Sequence, residues 1–88
     1  MTNEKISEII GSLTNVFNLT YPIFVESPDS FTIKISEDDA VKVKYSLNMY
    51  HVSTLNSFGE KTNVDHAMYD VDLAMSYILT VILELPEV

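Results

Sequence analysis

Cysteine is absent from this chain, so neither a disulfide nor a thiolate metal ligand can help to hold it together. Arginine is absent too: the bases are Lys5, Lys34, Lys42, Lys44 and Lys61. Those 5 bases face 13 acids, for a net charge of −8 at pH 7. Phosphate binding leans on Lys and Arg, so direct binding to nucleic acid starts from the wrong sign, and an anionic membrane is repelled as well. The 2 glycines, Gly11 and Gly59, form no phosphate-cradling loop. Gly-x-Ser-x-Gly does not occur, and there is no thiol nucleophile. The longest nearly apolar run, Leu73–Leu83, is broken by Ser76 and Thr80 and falls short of the ~20 residues of a membrane span. The opening MTNEKISEII lacks the basic and apolar regions of a signal peptide. The expectation is a soluble protein of the cytoplasm.

What is present suits one small globular domain over residues 1–88. Apolar residues make up 47% of the chain, too many for a disordered one. Thr2 or Asn3 can cap a first helix, with Glu4 in its first turn. Ile6, Ile9, Ile10, Leu13, Val16 and Phe17 trace its apolar stripe, and the helix should end near Asn18. From Leu19 the period changes from about 3.6 to 2. Tyr21–Glu26 reads as a strand with Pro22 at its start or on an edge. Ser27-Pro28-Asp29-Ser30 is a turn. Phe31, Ile33 and Ile35 alternate with polar residues, as do Val41, Val43 and Tyr45. With Glu37-Asp38-Asp39 between them, they form an antiparallel hairpin. Asn48 turns the chain again into a strand over Met49–Leu55. Thr62 or Asn63 then caps a long helix over Asn63–Leu85, and Pro86 stops it. The expected fold is α+β: a two-layer sandwich with an N-terminal helix, an antiparallel sheet of three to four strands and a long C-terminal helix.

Strand alternation turns Lys34, Lys42 and Lys44 away from the helices, onto the outer face of the sheet. The acids gather elsewhere: Glu37, Asp38 and Asp39 at the hairpin tip, and Asp65, Asp70 and Asp72 on the long helix. That helix is apolar nearly all round, with Leu73, Tyr77 and Leu83 near its polar side. A helix of that kind is buried on more than one side. The second side is covered either by a self-association surface, which would make a homodimer, or by another part of the chain.

Catalytic groups are scarce. His66 and Asp70, four apart on a helix, could share a metal, but two ligands do not make a site. Asp65, Asp70 and Asp72 lack the irregular glycine-hinged loop of a calcium site. His51 belongs to a half-buried strand. The pattern predicts no enzyme, no cofactor and no metal.

In size and acidity the chain resembles the acidic inhibitors encoded by phages: anti-CRISPR proteins, uracil-DNA glycosylase inhibitor and other DNA mimics. That resemblance implies a viral protein of the host cytoplasm that antagonises a nucleic-acid-handling protein. Glu37, Asp38, Asp39, Asp65 and Asp72 would present carboxylates to the partner's basic surface. Over Ile6–Leu55, the amphipathic helix followed by PIFVE, SFTIKIS and AVKVKYS is loosely similar to the class I type III secretion chaperones. That likeness implies a small dimeric adaptor holding a polypeptide, with Leu73, Tyr77 and Leu83 as its self-association surface.

Overall fold

The computed structural model describes residues 3–62 and 65–84, the last of them in its backbone only. Thr2 and Asn63 as caps, Leu85 as the expected end of the long helix, and the Pro86 stop lie outside the described residues. The elements are α1 (Glu4–Gly11), a π-helical turn over Ser12–Val16, β1 (Ile23–Ser27), β2 (Ser30–Lys34), β3 (Ala40–Ser46), β4 (Met49–Leu55), β5 (His66–Met68) and α2 (Val71–Glu84). Each strand pairs antiparallel with its neighbour in sequence, giving a five-stranded sheet in the order β1-β2-β3-β4-β5. The domain is α+β, with both helices packed on one face of the sheet.

Local chemistry explains most of these elements. Asn3 caps α1, its side chain accepting from the Lys5 N–H at 2.8 Å. Ile6, Ile9 and Leu13 are fully buried beneath the helix. The last turn widens as the Phe17 N–H reaches the Ser12 carbonyl at 3.2 Å. The chain then leaves the helix at Asn18, whose φ of 53° suits asparagine better than most residues. Pro22 sits just before edge strand β1, where no ladder N–H is needed, and its carbonyl accepts from the Lys34 N–H at 3.0 Å.

The register fixes which side of each strand meets the helices. Phe31 lies opposite Val43, Ile33 opposite Val41, Val43 opposite Val52 and Tyr45 opposite Tyr50. The first three pairs are buried, and the two tyrosine rings meet edge to face at 5.0 Å. Thr32, Lys42, Lys44, His51 and Ser53 consequently share the other, outer face. Leu47 and Asn48 join β3 to β4 with φ values of 55° and 62°, the backbone of a tight hairpin turn.

Two expectations need correction. The sheet has five strands, not three to four. The fifth, His66–Met68, falls within the span expected for the long helix, which in fact begins only at Val71. Asp70 is the reason. Its carboxylate accepts from the Asp72 N–H at 2.8 Å and its carbonyl from the Ala74 N–H at 3.0 Å, so it caps α2. Asp65 and His66 therefore precede α2, and Asp70 stands at its boundary. Thr62 caps nothing here; its N–H donates to the Thr54 carbonyl at 2.9 Å.

The helices share a direction. The Asn3 N–H donates to the Pro28 carbonyl at 2.7 Å, which fixes the start of α1 at the β1–β2 turn. Strand β5 runs from His66 opposite Val52 to Met68 opposite Tyr50, so α2 also starts at that end of the sheet. The Glu37–Asp39 tip lies at the other end, beside Leu55.

Candidate functional site

The hairpin tip is built around Ser36. Its hydroxyl oxygen accepts from the N–H groups of Asp38 and Asp39 at 3.3 and 3.2 Å. The Asp39 carbonyl in turn accepts from Ile35 and Ser36, both at 3.0 Å. These bonds leave Glu37 and Asp38 exposed and Asp39 half-buried. Asp72 is also exposed, but in the first turn of α2, a full sheet length away. Asp65 lies on the outer sheet face, its carboxylate 2.6 Å from the Lys61 ammonium. That hydrogen bond is the main reason its carboxyl is held below the usual range; Ser53 adds a weaker one, and burial opposes both. The five acids singled out from the sequence thus occupy three separate places.

A different grouping forms at the end where the helices start. Glu4 and Glu8 on α1, Asp29 in the β1–β2 turn, and Asp70 and Asp72 at α2 share that end. Tyr50 registers two of them. Burial pushes its hydroxyl above the usual phenol value, and the negative charges of Glu8 and Asp70, from different helices, push the same way. Asp70 and Asp72 were the visible part of this group. Glu4, Glu8 and Asp29 join it only because both helices point the same way, which no local pattern shows.

Lysines gather on the outer face. Lys42 and Lys44 project from β3, Lys34 from β2, and Lys61 arrives through its bridge to Leu55. A shallow concavity of about 270 Å³ opens there, lined by Lys42, Lys44, Ser46, Leu47, His51, Ser53, Lys61 and Asp65. His51 Nε2 lies 3.1 Å from the Ser46 carbonyl, which has no hydrogen to give, so Nε2 is the donor. The stripe of Lys34, Lys42 and Lys44 follows from alternation. His51, Lys61 and Asp65 join it only through strand register and loop closure.

On α2, Leu73 and Leu83 are exposed, at 61% and 86%. Tyr77 does not share their setting; it is half-buried and lies against His66, with ring centres 4.6 Å apart. His66 and Asp70 are no longer a helical pair, because His66 belongs to β5. No cluster of three metal-ligating side chains occurs among the described residues. No helix among them is long and apolar enough to cross a membrane. No protein-family model, no curated protein and no solved structure matches the chain.

Proposed function

We propose that this chain is a small non-enzymatic binding protein that antagonises a nucleic-acid-handling protein by docking carboxylates on its basic surface. One observation carries the reading: the charges are sorted by face. Among the described residues only two ion pairs form, Lys42 with Glu26 at 3.8 Å and Lys61 with Asp65 at 2.6 Å, both on the outer sheet face. The carboxylates of Glu4, Glu8, Asp29 and Asp72 at the helix starts, and of Glu37 and Asp38 at the hairpin tip, form no ion pair among the described residues and stand open to an outside partner. Separated charge of this kind speeds encounter with a basic groove and disfavours acidic competitors.

The acids lie at two ends, so the docking surface is one end or the other. Two charge-reversed proteins separate them: Glu4→Lys with Glu8→Lys, and Glu37→Lys with Asp38→Lys. None of these side chains is buried. The tagged protein and both variants are used to capture partners from host lysate, washed from about 0.05 M to about 0.5 M salt, which more than halves the screening length. The reading predicts a nucleic-acid-handling protein that is released at high salt and lost in one of the two variants. A partner that resists salt and is retained by both would contradict it and favour the adaptor reading, in which apolar contacts dominate.

A further inference from the structure

We propose that the outer-face concavity binds a small phosphate monoester, with its phosphate among Lys42, Lys44 and Lys61 and its organic body against Leu47.

A chain of net charge −8 should repel anions, yet three of its 5 lysines line this one hollow. Lys42 and Lys44 lie two residues apart on one strand face, roughly 7 Å along the strand. Across the ladder, Ser53 faces Lys42 and His51 faces Lys44. Lys44 forms no ion pair among the described residues, and Lys42 only a long one, at 3.8 Å from Glu26. Lys61 is paired with Asp65, so among the described residues Lys44 is the cation here without a counter-ion, and it is repelled by its neighbours. An external anion would relieve that repulsion.

The site already holds one oxyanion. The Asp65 carboxylate takes a hydrogen bond from Lys61 at 2.6 Å, so this donor is set to receive oxygen. Asp65 satisfies one side of the hollow and leaves the Lys42–Lys44 side open. A phosphate dianion has oxygens enough to reach Lys42, Lys44 and Lys61 together; a single carboxylate does not.

Leu47 points to an organic body. It is 85% exposed and adds nothing to the core, and the tight β3–β4 turn sets it at the rim of the hollow. It forms the apolar wall of the hollow. A volume of about 270 Å³ admits a small molecule. A nucleic-acid strand would extend beyond it into the field of the surrounding acids.

The test is a titration of the intact ¹⁵N-labelled protein, followed by amide shifts, with phenyl phosphate, inorganic phosphate and a single-stranded oligonucleotide. Saturable shifts with phenyl phosphate at Lys44, Leu47 and His51, tighter than with inorganic phosphate, are expected. Lys44→Gln should weaken binding by about tenfold, the usual size of one charge-assisted hydrogen bond. Asp65→Asn should tighten it severalfold, because the internal competitor for Lys61 loses its charge; a purely structural role for Asp65 would not give that sign. The proposal is overturned by the lack of saturable binding, by equal affinity for the two phosphates, by weaker binding in Asp65→Asn, or by tighter binding of the oligonucleotide.

Discussion

Asp65, like Glu26, is an acid that stands on the lysine-bearing outer face. It leaves the β4–β5 connection and meets Lys61 at 2.6 Å on the outer face. Its carboxyl is easier to ionise in the folded chain than in the unfolded one. Such a group adds stability above its unfolded pKa, about 3.9 for aspartate, and loses that contribution as pH falls through the lower folded value. Chemical denaturation of the native protein and of Asp65→Asn should therefore differ near neutral pH and converge in strong acid. The difference should be small and shrink with added salt, since both side chains are more than a third exposed. A constant difference at every pH would mean that Asp65 acts by packing and not by charge.

Among the elements, the boundary between β5 and α2 shows best what local sequence can convey. Strands β2 and β3 were legible because Phe31/Ile33 and Val41/Val43 alternate strictly with Thr32, Lys42 and Lys44. The stripe of Ile6, Ile9 and Leu13 marked α1 just as plainly. Strand β5 has only three residues, and Ala67 and Met68 satisfy a helical period as well as a strand. The decision falls to Asp70. In a continuous long helix it would be interior, where alanine is preferred and Asp70→Ala would stabilise. As the cap seen here it accepts the Asp72 N–H, and Asp70→Ala should cost about 1 kcal/mol in thermal or chemical unfolding. The sign alone separates the two arrangements. The outer-face hollow was half legible for a related reason. Alternation places Lys42 and Lys44 outward, but bringing His51, Lys61 and Asp65 to them takes the β3–β4 register and the 56–61 loop. That loop is closed by the Asn56 side chain, which accepts from the Phe58 and Glu60 N–H groups at 2.9 and 3.0 Å.

At the scale of the whole molecule, the meander keeps sequence neighbours adjacent, and the parallel course of the two helices decides where charge collects. Both helices start at one end of the sheet, and acids favour helix starts because the macrodipole is positive there. The acidic end is thus partly a product of helix stability. The outer face gathers four of the 5 lysines, Lys34, Lys42, Lys44 and Lys61, and leaves Lys5 alone on α1. The proposed function requires that the excess carboxylates compete with nucleic acid for one basic surface. Titrating this protein into the captured partner bound to fluorescently labelled DNA, followed by anisotropy, measures that competition. Complete displacement of the DNA is expected, with a midpoint that rises in proportion to DNA concentration. If the DNA stays bound while this protein is also bound, forming a ternary complex, the two do not share a surface and the proposal is overturned.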